Sequence, residues 1–144
     1  MRLESRTPEA TREIGACLGR HARPGEVIAL YGDLGAGKTC LIQGIAVGLG
    51  VGDAVASPTF IMIAEYAGRL PLYHVDLYRT GSLEEIHALG LDDLLGGDGV
   101  VVIEWAEKAE PLLPLRTIRV RIEGVGDEPR TIEVEGAPPG WFGL

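Results

Sequence analysis

Eight consecutive residues, Gly32-Asp33-Leu34-Gly35-Ala36-Gly37-Lys38-Thr39, match the pattern G-x-x-x-x-G-K-[ST] at every fixed position. Their chemistry is phosphate recognition. The glycines let backbone N–H groups approach an anion with no Cβ in the way. A helix opening at the loop's end, with Cys40 in its first turn, would aim its free N–H groups and positive dipole end at the same anion. Lys38 would neutralise β- and γ-phosphates, and the Thr39 hydroxyl would ligate Mg²⁺. The plain alternative is a glycine-rich turn with an exposed lysine. The context argues against it, because an apolar run, Glu26 to Tyr31, precedes the loop. An apolar-rich segment follows, able to run as a helix until Gly48 and Gly50 stop it.

A phosphate loop of this kind needs an acid at the end of a neighbouring strand, to hold Mg²⁺ through water and to place the attacking water. Two residues qualify. Asp76 follows Leu72-Tyr73-His74-Val75, and Glu104 follows Val100-Val101-Val102-Ile103. Both would lie at carboxyl ends of strands, where α/β sheets keep their ligands. The spacing leaves open which acid lies closer to the metal. Thr59, in Ser57-Pro58-Thr59-Phe60, has the type and setting of a hydroxyl that senses a γ-phosphate, against the plainer reading of a Ser-Pro turn. His74 reads as a packed strand histidine and Trp105 as a core or rim aromatic. Arg79 and Lys108 read as solvated charges more readily than as phosphate or base contacts.

The elements that must position these groups follow from periodicity. Thr7 as N-cap and Pro8 at the first helical position open a helix with an apolar stripe of Ala10, Ile14, Cys17 and Leu18. Two strand-like runs, Ile61 to Tyr66 and Leu70 to Tyr78, flank Ala67-Gly68-Arg69 and read as a hairpin. If the second run continues far enough, His74, Asp76 and Tyr78 share the face turned towards a ligand. Ser82 and Glu85 form a capping box for a helix through Leu89, and Asp92 to Leu95 is a short helical piece. Val100 to Ile103 is apolar throughout, the mark of a strand buried on both faces. Thr117 to Ile122 and Thr131 to Glu135 alternate, which predicts an antiparallel hairpin with Ile118, Val120, Ile122, Ile132 and Val134 inward. Arg119 and Arg121 would then face Glu133 and Glu135. The fold class is α/β, a P-loop NTPase-like sheet of mixed parallel and antiparallel strands flanked by helices, with a C-terminal antiparallel hairpin.

The 144 residues suit one domain, 1–144, with a flexible Pro/Gly-rich tail at 136–144 in which Trp141 and Phe142 tuck back or dock on a partner. Apolar residues make up 46% and charged residues 24%, as in ordinary soluble proteins. No apolar run reaches membrane-span length, and Met1-Arg2-Leu3-Glu4-Ser5 does not resemble a signal peptide. Cys17 and Cys40 make no disulfide framework, so the cytoplasm is the expected compartment. The net charge of −8 and the lack of a basic stripe argue against tight nucleic-acid binding by this chain alone.

Taken together, the phosphate loop, Ser57-Pro58-Thr59-Phe60, His74-Val75-Asp76-Leu77-Tyr78-Arg79 and Ile103-Glu104-Trp105 occur in the order seen in a known family. Over about residues 7 to 135 the chain resembles the bacterial TsaE family, the small ATPases of tRNA threonylcarbamoyladenosine modification. The resemblance implies ATP and Mg²⁺ as cofactors, weak hydrolysis alone, and action with TsaD- and TsaB-type partner proteins on adenosine 37 of ANN-decoding tRNAs. The tRNA would be held mainly by those partners. Carried over by position, Lys38 and Thr39 bind phosphate and metal, Thr59 is the switch-like threonine, and Asp76 and Glu104 are the metal and water-positioning acids. The first helix around Thr7 to Thr11 would lie near the adenine. Two rivals share the loop. A small-molecule kinase needs convergent arginines for its acceptor, yet no Arg lies between Arg79 and Arg116. A GTP switch needs a base-reading Asn, and the chain has none. A nucleotide-dependent binding module without turnover is the third reading.

Overall fold

The computed structural model describes residues 1–33, 35–52 and 62–144. Leu34 and the Ser57-Pro58-Thr59-Phe60 segment, with Thr59 and Ile61, lie outside the described residues. The elements in chain order are β1 (Arg2–Ser5), α1 (Pro8–His21), β2 (Val27–Tyr31), α2 (Lys38–Gly48), β3 (Ile63–Tyr66) and β4 (Leu72–Asp76). Then come α3 (Leu83–Ala88), α4 (Leu91–Leu95), β5 (Val100–Glu104), a 3₁₀ stretch Ala106–Leu112, β6 (Ile118–Glu123), β7 (Arg130–Glu135) and a 3₁₀ turn Pro139–Phe142.

The strands form one seven-stranded sheet in the order β1-β7-β6-β2-β5-β4-β3. The centre is parallel: β2 pairs with both β5 and β6, and β5 pairs with β4. The edges are antiparallel, β3 on β4 and β7 on β6, with β1 added to β7. The sheet is thus mixed, as the alternation of strand types predicts, and the hairpin β6–β7 buries Ile118, Val120, Ile122, Ile132 and Val134.

Side-chain period two divides β2 and β5 between two cores. Ile28, Leu30, Val100 and Val102 pack with Leu18, Leu41 and Ile45 of α1 and α2. Val27, Ala29, Val101 and Ile103 face the other way, onto Ile86, Leu91, Ala106 and Ala109 of α3, α4 and the 3₁₀ stretch. That double burial explains the uninterrupted apolar run of β5. The hairpin is covered on one face only, so its strands alternate and turn Arg119, Arg121, Glu133 and Glu135 away from the core.

α1 and α2 cross at backbone contact. A Cβ on Gly15 would lie 2.2 Å from the Leu41 carbonyl oxygen, and one on Gly44 would lie 2.0 Å from that of Arg12. Gly19 and Gly48 continue the same seam. The phosphate-loop helix is therefore locked to the first helix with no side-chain layer between them.

Three expectations are corrected. β4 ends at Asp76, so Tyr78 lies beyond the strand and is exposed rather than sharing its face. β3 begins at Ile63, and β4 at Leu72 rather than Leu70. The expected facing of the hairpin charges holds, since register places Arg119 opposite Glu135 and Arg121 opposite Glu133, while hydrogen bonds draw Arg119 to Glu110 and Glu133 to Arg2. β1 answers to no pattern, because Arg2-Leu3-Glu4-Ser5 is mostly polar and its partner strand lies far along the chain. In the tail, the ring of Trp141 stacks on His21 at 5.6 Å, and Trp141 and Phe142 pack against the α1–α2 core.

Candidate phosphate-binding site

The site is set by three adjoining strand ends. β2 hands the chain to the loop at Gly32, while in register Leu30 is paired with Glu104, and Glu104 with Asp76. Both predicted acids therefore lie at the carboxyl end of the parallel centre of the sheet, Glu104 one strand and Asp76 two strands from the strand that leads into the phosphate loop. Parallel pairing across β2, β5 and β4 brings them together, although Asp76 lies 44 residues and Glu104 72 residues along the chain from Gly32.

Two glycines show why the loop is glycine-rich. A Cβ on Gly32 would meet the Ile122 carbonyl oxygen at 2.6 Å. Gly37 caps α2 with φ of 111°, in the left-handed region. The loop starts with a tight turn in which the Ala36 N–H donates to the Asp33 carbonyl at 3.1 Å. No side chain caps α2, so its first N–H groups remain available to an anion.

Lys38 is 5% exposed, and among the described residues its Nζ has no hydrogen-bond partner. It lies 4.0 Å from the centroid of the Trp105 ring. An aromatic face offsets part of a buried ammonium's desolvation, but it satisfies none of the three N–H donors. Trp105 adopts φ of 59°, in the left-handed region where a bulky residue is strained, and its ring lies 5.1 Å from that of Tyr78. Glu104, immediately before it, is 5% exposed, and its Oε2 lies 2.8 Å from His74 Nε2. His74 is packed in the sheet, as its strand setting predicts, yet it bonds the acid instead of only filling space. Asp76 is half-buried and one carboxylate oxygen accepts from the Tyr78 N–H at 2.9 Å. Thr39 is exposed at the first turn of α2, and Cys40 is half-buried beside it.

Lys108 does not point to the loop. Its Nζ donates to the carbonyls of Tyr78 and Thr80, tying the segment after β4 to the 3₁₀ stretch. Arg79 is exposed.

On the other side of the loop is a cavity of about 340 Å³ lined by Ser5, Thr7, Thr11, Gly35, Cys40 and Arg130, among others. Thr11, the residue the resemblance puts near the adenine, is buried there, its Oγ1 2.6 Å from Ser5 Oγ. Ser5 in turn donates to the Thr7 carbonyl. Sequence reasoning missed Ser5 and Arg130. Neither sits in a motif, and only the pairing of β1 with β7 brings both beside the loop.

Among the described residues no three His, Cys, Asp or Glu side chains converge into a self-sufficient metal cage. Mg²⁺ does not need one, since it takes one or two carboxylates together with substrate phosphates. The orphaned Lys38 ammonium, the uncapped helix and the two acids at adjacent strand ends fit such a pair.

A glycine loop between a buried parallel strand and a helix, in a mixed sheet with acids at the neighbouring strand ends, defines an α/β protein of the P-loop NTPase type. The family model described as threonylcarbamoyl adenosine biosynthesis protein TsaE matches residues 5–132. The tRNA threonylcarbamoyladenosine biosynthesis protein TsaE of Treponema pallidum is 42% identical over 134 residues, covering 93% of this chain and 99% of the relative. That of Bacillus subtilis is 46% identical over 126 residues, covering 87% and 78%. The crystal structure of Bacillus subtilis YdiB superposes with a TM-score of 0.78 at 40% identity, covering 92% of this chain and 82% of that one. The chain belongs to the TsaE family.

Proposed function

We propose that the protein binds ATP with Mg²⁺, hydrolyses it slowly by itself, and serves tRNA threonylcarbamoyladenosine biosynthesis together with TsaD- and TsaB-type partners. The observation that carries this reading is the buried Lys38 ammonium, without a hydrogen-bond partner among the described residues, at the start of a helix with no side-chain cap. A buried cation of this kind calls for an anion.

In this reading the loop N–H groups and Lys38 hold the β- and γ-phosphates. Thr39 and Asp76 hold the metal, which supplies charge neutralisation on the phosphates. Glu104, kept in place by His74, orients the water that attacks. Thr59 is the threonine that senses the γ-phosphate. The nucleoside lies in the cavity between Thr11 and the β6–β7 turn. Phosphoryl transfer depends on positioning and charge, so a site lacking one contact is slow until a partner provides it. The substrate is then adenosine 37 of ANN-decoding tRNAs, modified by the partners while this chain supplies the nucleotide-driven step in the cytoplasm. The whole chain acts as one domain.

The test is titration of tryptophan fluorescence with ATP, ADP and GTP, with and without Mg²⁺, alongside phosphate release. Adenine-selective, Mg²⁺-dependent binding with slow release, accelerated when the partner proteins and tRNA are added, is the expected result. A preference for guanine, or turnover driven by a small-molecule acceptor, overturns the reading.

A further inference from the structure

The β6–β7 turn is strapped to the phosphate loop by one side chain. Arg130 opens β7, and its guanidinium reaches back over 94 residues of sequence to the loop. Nε donates to the Ala36 carbonyl at 2.9 Å, and Nη2 approaches the Gly35 carbonyl at 3.4 Å. The same side chain donates to the Gly126 carbonyl at 3.0 Å and to that of Glu128. A planar fork of five N–H donors suits this task, and a lysine ammonium does not.

The consequence lies in the peptide that Arg130 grips. The Ala36–Gly37 unit is trans and planar, so its C=O and N–H point in opposite directions. With the carbonyl held at Arg130, the Gly37 N–H is turned to the opposite side of the loop. Phosphate recognition by a loop of this type needs its N–H groups inward and its carbonyls outward, since an inward carbonyl would repel the anion. The Ala36 N–H is already spent on the Asp33 carbonyl. Gly37, with φ of 111°, has no Cβ to hold its peptide plane in place.

We propose that Arg130 is a positioning residue of the phosphate loop, holding the Ala36–Gly37 peptide so that its N–H faces the phosphates. The inference rests on the reading of the loop as a phosphate site. It also couples that loop to the turn 124–129, which walls the cavity beside Thr11.

The experiment compares binding of ATP and of inorganic tripolyphosphate, each with Mg²⁺, by calorimetry. The proteins are the wild type, Arg130→Gln, Arg130→Lys and the control Arg2→Ala. Arg2 bridges Glu133 on the exposed face of the same strand pair and, among the described residues, makes no hydrogen bond or ion pair with the loop. The expected result is an affinity loss of about tenfold or more for both ligands in Arg130→Gln, the size of one lost charge-assisted hydrogen bond. Arg130→Lys would fall between, since an ammonium serves fewer of the carbonyls. Arg2→Ala would bind as the wild type. Wild-type affinity in Arg130→Gln, or equal losses in Arg130→Gln and Arg2→Ala, overturns the positioning role. Should Arg130→Gln fail to fold, Arg130→Lys against Arg2→Ala decides by the same criterion. A wild type that binds neither ligand overturns the phosphate-site reading itself, an outcome distinct from the others.

Discussion

At the scale of single residues, Lys38, Asp76 and Glu104 differ in how their surroundings commit them. Lys38 is buried against a ring, and among the described residues its donors are unspent. Its removal deletes charge that no neighbour can replace. Lys38→Ala is therefore expected to weaken ATP binding by about a hundredfold or more in a calorimetric titration. Glu104 is buried and engaged with His74, whereas Asp76 is half-buried with one oxygen engaged by backbone. Glu104→Gln and Asp76→Asn keep the shape of each side chain. Both are expected to retain most ATP binding while phosphate release falls on the order of a hundredfold, the usual scale for a positioned acid or base. Normal turnover in both variants would remove the two acids from the mechanism.

The Tyr31 hydroxyl donates to Glu110 at 2.7 Å, and Arg119 donates to the other oxygen of Glu110 at 2.7 Å. Burial, together with that hydrogen bond to a carboxylate, pushes the Tyr31 hydroxyl up from its usual 10.0 to about 12. The folded state therefore favours the protonated phenol. The stability this contributes is complete below pH 10 and is lost as the pH rises through about 12. Urea denaturation of wild type and Tyr31→Phe at a series of alkaline pH values should show the wild type losing its advantage across that window. A constant difference between the two would mean that the phenol ionises equally easily in both states.

At the scale of elements, the contact between α1 and α2 decides how rigidly the phosphate loop is held. The glycine seam brings the two backbones to distances that no Cβ allows. Gly44→Ala would drive a methyl group into the Arg12 carbonyl at 2.0 Å, so the helices must separate. The expected cost is about 3 kcal/mol, the upper end for overpacking. Gly140→Ala, where a Cβ meets nothing within 4 Å, is the matched control, with an expected change within about 0.5 kcal/mol. Thermal or urea unfolding of the pair checks both. A tolerated Gly44→Ala would show that the two helices slide freely, and the loop would then not be anchored through α1.

At the scale of the whole molecule, the net charge of −8 bears on partnership. Neutralising tRNA phosphates requires clustered Lys and Arg, and here four of the arginines pair with carboxylates: Arg2 with Glu133, Arg20 with Glu13, Arg23 with Glu26 and Arg119 with Glu110. A gel-shift titration of the isolated chain with tRNA at physiological salt is expected to show no complex up to micromolar protein, and a shift once the partner proteins are present. Tight binding by the chain alone would mean that the tRNA is gripped here and not mainly by partners.

Much of this molecule was legible in its sequence because the relevant physics is local. Loop spacing, helix caps at Thr7 and Ser82, and the apolar period of each strand depend on residues a few positions apart. The split between all-apolar β5 and alternating β6–β7 reported which strands are covered on both faces. The placement of Thr59 lies outside the described residues. Tertiary structure alone decided the rest. It assigned the polar segment Arg2–Ser5 to the sheet, drew Arg119 to Glu110 and not to Glu135, joined His74 to Glu104 and put Arg130 against the phosphate loop. All but the Arg119–Glu110 contact join groups brought together by the order of strands in the sheet. Strand order minimises the free energy of the whole chain, so no local spacing encodes which distant groups become neighbours.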